Sequence, residues 1–252
     1  MLAFEQDGLH FAYVDEGPRD RPVVLLIHGF ASNVRINWIN PGWVRTLTDA
    51  GYRVVAFDNR GHGESDKPHA REAYGAPLMA EDARALLDHL NIAKADVMGY
   101  SMGARITAFL ALARPERVRS ITFGGLGGNM IRPMAGTGPI AAALEAPSID
   151  DVTNPTARTF RAFAEQTKSD RLALAACIRS SREPITPDML SRLRCPVLIA
   201  VGEKDVIGGP AGDLAPYIAG AKAFVIPGRD HMLAVGDKAY KQAVIEFLAG
   251  QG

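Results

Sequence analysis

Three side chains stand where they could together break an acyl bond: Ser101, Asp205 and His231. Ser101 is the centre of Gly99-Tyr100-Ser101-Met102-Gly103, with apolar residues before it and a helix-like run after it. Such a Gly-x-Ser-x-Gly pentapeptide turns sharply from strand into helix and strains the serine backbone, so the positions two on either side must be small. A serine hydroxyl is a weak nucleophile until a base takes its proton, and histidine is the side chain whose pKa suits that task near neutrality. His231 would accept the proton and later deliver it to the leaving group, while Asp205 would hold the right His231 tautomer and stabilise its imidazolium. A developing oxyanion would be held by the N–H of Met102, at the helix start, and that of Phe30 in His28-Gly29-Phe30. The pentapeptide alone is a common turn, and its partners give it weight.

These residues need elements that bring them to one place. Residues 23–27, Val-Val-Leu-Leu-Ile between Pro22 and His28-Gly29, form a continuous apolar run, the pattern of a strand buried on both faces. Further strands are predicted at 3–6, 9–15, 53–57, 95–98, 118–123, 196–202 and 223–226, and helices at 42–50, 77–90, 102–113, 213–219 and 239–248. Strands alternating with helices predict an α/β protein, a mostly parallel twisted sheet of about eight strands with helices on both faces. In such sheets function gathers where the C-terminal strand ends open into loops. Phe30, Ser101, Asp205 and His231 all occupy such positions. Residues 1–252 read as a single domain. Residues 124–194 lack strong β signals, are rich in Ala, Arg, Pro and Ser, and read as a helical insertion too short to support its own core.

The 28 basic and 28 acidic residues cancel, and neither a basic patch nor a charged tail argues for nucleic acid or a membrane surface. Hydrophobic residues make up 47% of the chain, enough for a sizeable core, yet no apolar run reaches the length of a membrane span. The two cysteines, Cys177 and Cys195, have no metal-site or disulfide spacing. The N-terminal residues have no apolar stretch of signal-peptide type. A soluble cytoplasmic protein without metal or organic cofactor, acting on a small-molecule substrate, is the expectation; oligomeric state is not readable.

Taken together, His28-Gly29-Phe30, the loop Asp58-x-Arg60-Gly61-His62-Gly63-x-Ser65, the pentapeptide around Ser101, Gly202-Glu203-Lys204-Asp205 and the late His231 resemble the α/β-hydrolase fold family. The resemblance implies a serine hydrolase with Ser101, Asp205 and His231 as triad, and makes 124–194 similar to the helical cap of many members. It also implies that an Asp nucleophile, as in the haloalkane dehalogenases and epoxide hydrolases of this fold, is replaced here by Ser101. Some members carry the acid after the strand that here ends at Phe123, but residues 124–130 contain no carboxylate.

Substrate contacts are sought near the serine. Asn33 and Trp38, in a loop just after the oxyanion segment, are candidates for one wall of the entrance. Tyr100 flanks the nucleophile and could touch substrate or pack under neighbouring strands. Met130, with Met134, Phe160, Phe163 and Met189, could line an apolar acyl pocket, although Phe160 and Phe163 at helical spacing also suit cap-to-core packing. A carboxylate-binding residue could be found among Arg158, Arg161, Arg171, Arg179 and Arg182, although the default reading of each is a solvated side chain. The activity expected is hydrolysis of a carboxylic ester-type bond through an acyl-enzyme. Opening of a lactone, cleavage of a carbon–carbon bond in a small acidic substrate, and a slow or non-catalytic ligand receptor are the alternatives.

Overall fold

A computed structural model describes residues 1–132, 137–180 and 183–251. Met134 and Arg182 lie outside the described residues. The strands are β1 (Leu2–Gln6), β2 (Leu9–Glu16), β3 (Val23–Ile27), β4 (Arg53–Phe57), β5 (Ala95–Tyr100), β6 (Val118–Gly124), β7 (Val197–Gly202) and β8 (Lys222–Ile226). Among the described residues they form one eight-stranded sheet, ordered β1-β2-β4-β3-β5-β6-β7-β8. β1 runs antiparallel to β2, and β2 to β4; every other pair is parallel.

Side chains along these strands alternate between two cores, as a period of two requires. Leu25, Ile27, Val55, Phe57, Val97 and Phe123 pack into one. Val24, Leu26, Val54, Ala56 and Met98 pack into the other. The first core is covered by α2 (Ala76–His89) and α3 (Met102–Ala113), the second by α1 (Trp43–Asp49) and α9 (Lys238–Ala249). All five residues of β3 and all five of β4 are buried, which explains their apolar texture, broken only by Arg53, whose guanidinium pairs with Asp15. From β3 the chain moves to β4 on one side, and β5 then takes the other side of β3. The sheet therefore has its switch point between β3 and β5, where the two strand ends open a crevice.

Between β6 and β7 lie α4 (Thr137–Glu145), α5 (Pro155–Gln166), α6 (Arg171–Ser180) and α7 (Pro187–Ser191), with α4 packed on α5 and α6. α4, which opens on Thr-Gly-Pro, carries no legible sequence signal; α7 has a start signal in Thr186-Pro187, the Thr186 hydroxyl accepting from the Met189 N–H, but is barely longer than one turn and shows no periodicity. A helix expected at 213–219 is instead α8 (Ala211–Leu214) followed by a 3-10 turn, Ala215–Tyr217. Pro216 lacks the N–H that would continue the α-helical ladder. Among the described residues, no helix is long and apolar enough to cross a membrane.

Candidate active site

Ser101 closes β5 and opens α3 with φ 55° and ψ −112°, a conformation that a residue bearing a side chain rarely adopts. Holding it costs about 1–3 kcal/mol, which the surrounding packing must offset. Gly99 and Gly103 make the turn possible. A Cβ on Gly99 would overlap the Gly103 carbonyl, and one on Gly103 would overlap the Ile27 carbonyl oxygen. α3 therefore presses backbone to backbone on β3 and β5. The Ser101 N–H donates to the Gly124 carbonyl at 2.8 Å, which ties the turn to the end of β6.

Asp205 and His231 come from the ends of β7 and β8. Asp205 follows β7, and its Oδ1 accepts from the N–H groups of Ile207 (3.0 Å) and Gly208 (2.7 Å). That leaves Oδ2 for His231, whose Nδ1 lies 2.8 Å away. His231 follows β8, and its Nε2 lies 3.0 Å from Ser101 Oγ. With a carboxylate on Nδ1, the neutral ring carries its proton there and turns the Nε2 lone pair toward the hydroxyl. Asp205 and His231 are buried while Ser101 remains partly accessible. The arrangement can move a proton from Ser101 onto His231 as the oxygen attacks an electrophile.

The loop after β3 is packed against the serine. A Cβ on Gly29 would stand 3.2 Å from the Tyr100 carbonyl oxygen and 3.5 Å from Ser101 Cβ. The Gly29 N–H donates to Asn37 Oδ1 at 3.0 Å. Among the described loop and turn hydrogen bonds, none is donated by the N–H of Phe30 or Met102. His28 is an internal brace: Nδ1 donates to the Gly29 carbonyl (2.8 Å) and Nε2 accepts from the Asn59 N–H (2.9 Å). Burial lowers its pKa from 6.5 to about 4, so it stays neutral. Burial, with His28 nearby, lowers His62 to about 3. The His62 ring lies 5.2 Å from that of His28 and 5.9 Å from that of Phe30.

A family model described as the alpha/beta hydrolase fold matches residues 22–141, from β3 through the Ser101 turn into α4. A stretch of 122 residues is 35% identical to epoxide hydrolase 4 of Mus musculus, covering 48% of this chain and 32% of that protein. The chain thus spans about a third, 32%, of the length of that curated relative. The solved enol-lactonase of Burkholderia xenovorans superposes with a TM-score of 0.81 at 21% identity, over 98% of this chain and 100% of that one. A thermophilic esterase of Thermogutta terrifontis gives 0.80 at 23% identity, over 99% and 97%. The chain has the α/β-hydrolase fold.

Within this fold the side chains nominated for substrate contact are used otherwise. Trp38 is fully buried in the core beneath α1, its ring 6.3 Å from that of Trp43 and nearly perpendicular to it. It forms no wall of an entrance, because the presumed irregular loop winds into a π-helical turn, Arg35–Ile39, that carries Trp38 inward. Asn33 is half-buried, and its Oδ1 accepts from the Ile36 N–H at 2.9 Å, closing the start of that turn. Met130 is buried in the core, with its carbonyl accepting from Arg105 Nη2 at 3.2 Å. Tyr100 points under the sheet end and donates its hydroxyl to the His231 carbonyl at 2.6 Å. Phe160, by contrast, does face the loop after β3, its ring 5.8 Å from that of Phe30. Cys177 Sγ on α6 lies 3.8 Å from Met102 Sδ.

Asp58 and Arg60 suit loop-fixing roles by sequence, but their partners escape sequence reading. Arg60 pairs with Asp82 of α2 through contacts of 2.7 and 2.6 Å, both side chains buried. Asp58 Oδ1 accepts from Val34 N–H and Oδ2 from Glu64 N–H, joining the loops after β3 and β4. Asn37, whose Oδ1 accepts from the Gly29 N–H, lies between Asn33 and Trp38 with no local signal of that role. A buried arginine in a polar loop signals a partner, but nothing local says that the partner is Asp82.

Proposed function

We propose that the protein is a serine hydrolase that cleaves carboxylic ester-type bonds of small molecules through an acyl-enzyme. The observation that carries this reading is the unbroken line Ser101 Oγ–His231 Nε2 (3.0 Å) and His231 Nδ1–Asp205 Oδ2 (2.8 Å) at the sheet's C-terminal edge. In the first step Ser101 attacks the carbonyl carbon and His231 takes its proton. The oxyanion is held by the N–H groups of Phe30 and Met102, and collapse expels the alcohol, protonated by His231. In the second step His231 deprotonates a water that attacks the acyl carbon and frees Ser101. Asp205 keeps the imidazole oriented and balances its positive charge.

Residues 1–252 are read as one domain, with 124–194 as a helical cap over the oxyanion side. The contacts of Phe160 with Phe30 and of Cys177 with Met102 support that placement. Four of the candidate arginines, Arg158, Arg161, Arg171 and Arg179, serve the cap itself. Arg158 contacts Asp150 and the Ile149 carbonyl, Arg161 contacts Glu165 and the carbonyls of Ala143 and Ala146, Arg171 contacts the carbonyls of Leu144 and Ala146, and Arg179 contacts Glu145. That engagement favours a neutral acyl group over an acidic one. An esterase and an enol-lactonase with the same fold accord with acyl chemistry. Epoxide opening is disfavoured because Ser101 stands where epoxide hydrolases of this fold carry Asp.

Turnover of a short-chain p-nitrophenyl ester is the test. Ser101→Ala should lower kcat by about 10⁴-fold or more while leaving the thermal transition in place. Undiminished turnover in that variant would sink the serine mechanism.

A further inference from the structure

His231 sits on a turn after the edge strand β8, between exposed neighbours Asp230 and Met232. A base on such a turn needs a fixed backbone, since misplacement by about 1 Å can cost a hundredfold in rate. We propose that Tyr100 is the positioning residue of His231: its hydroxyl holds the His231 carbonyl and so locks the base to the strand that carries the nucleophile. This rests on the serine-hydrolase reading above.

Four observations converge. The Tyr100 hydroxyl donates to the His231 carbonyl oxygen at 2.6 Å, across 131 residues of sequence. The two rings lie 5.4 Å apart, tilted by 47°. Tyr100 is the residue before Ser101, and its backbone is registered against Gly124 in the β5–β6 ladder, so the phenol stands on the same rigid segment as the nucleophile. Finally, the ring lies in a notch cut for it. A Cβ on Gly125, which has φ +61°, would come within 2.6 Å of Tyr100 Cζ, and one on Gly124 within 2.9 Å of Cδ2. Burial and the nearby Asp205 charge raise the Tyr100 pKa well above the usual phenol value, which keeps the hydroxyl a donor across the working range of a histidine base. His231 is thereby held at two points, its ring by Asp205 and its backbone by Tyr100.

Tyr100→Phe keeps the ring in its notch and removes only the donor. With a short-chain p-nitrophenyl ester, kcat should fall roughly tenfold or more with KM within about twofold, and labelling of Ser101 by a fluorophosphonate should slow by the same factor. The low-field proton resonance of His231 Nδ1–H should broaden. Tyr240→Phe is the control: Tyr240 is also fully buried near Gly124, but its hydroxyl has no partner among the described residues, and kcat should be unchanged. A polyfluorinated tyrosine at position 100 gives a second readout that does not depend on the Phe variant folding. It donates when protonated and not when ionised, so kcat should gain an alkaline limb absent from the parent. Parent-like kcat and low-field resonance in Tyr100→Phe, or an unaltered pH profile with the fluorinated residue, overturns the proposal. If Ser101→Ala retains turnover, the underlying reading fails instead; if Ser101→Ala is inert and Tyr100→Phe is parent-like, only the role of Tyr100 fails.

Discussion

At the scale of single residues, the site depends on positions where no other side chain fits. Gly103 is the sharpest case, because a Cβ there would overlap the Ile27 carbonyl oxygen and lie 2.8 Å from that of His28. Both obstacles are backbone, so neither can rotate away. Gly103→Ala should lower stability by about 3 kcal/mol or more, read as a drop in the urea midpoint with the slope unchanged. A midpoint within error of the parent would mean that α3 can slide off β3 at little cost. Ser101 itself stores strain rather than stability. Ser101→Ala keeps the Cβ and with it the same positive-φ strain, and removes only the hydroxyl, so it should fold as the parent does.

At the scale of elements, the loops around the site are stitched by buried charge. Asp58 links the loops after β3 and β4 through two backbone N–H groups, and burial raises its pKa against that hydrogen bonding. Arg60 joins the second of these loops to α2 through Asp82 and also donates to the Ala73 carbonyl at 2.7 Å. Burial raises the Asp82 carboxyl to about 6 even with Arg60 beside it, so the pair is ionised at neutral pH. Breaking a buried pair strands the remaining charge. Asp82→Ala should therefore cost about 3–5 kcal/mol, and the Arg60→Met, Asp82→Leu double variant should recover most of that loss. Chemical denaturation of the two variants checks both statements, and a double variant no better than the single would place the cost in lost packing instead.

At the scale of the whole molecule, the two buried histidines make the fold acid-sensitive. Each has a folded pKa below its ordinary 6.5, about 4 for His28 and about 3 for His62. Between pH 6.5 and about 4 the unfolded chain therefore binds protons that the folded chain refuses, and stability falls as pH falls. Each histidine should withdraw about 2 kcal/mol between pH 7 and pH 5. Asp82 acts in the opposite sense, since a raised carboxyl pKa makes the folded state the better proton acceptor below about 6. A difference measurement separates them. His62→Asn retains a donor for the Arg60 carbonyl and removes the titration. The parent's advantage over this variant should shrink by about 2 kcal/mol on going from pH 7 to pH 5. A constant difference would show that His62 is protonated, or reached by water, in the folded state.

Sequence by itself determined the strands of the sheet, their order along the chain and the long helices that flank them. β3 is five consecutive buried apolar residues, and an unbroken run of that length between Pro22 and His28-Gly29 has few other uses. Gly99 and Gly103 announced the turn at Ser101 because the clash they avoid lies within a few residues and one neighbouring strand. Parallel strands then placed Ser101, Asp205 and His231 at one edge by topology alone. Only the tertiary structure decided which way side chains face. Trp38, Asn33, Tyr100 and Met130 lie near the serine in sequence or along the same edge, yet one fills the core, one caps a turn, one holds His231 and one is buried beside Arg105. Periodicity and turn chemistry are short-range and survive in the linear pattern. The pairing of Tyr100 with His231, of Arg60 with Asp82 and of the cap arginines with their carbonyls depends on how distant segments pack, and no local pattern encodes it.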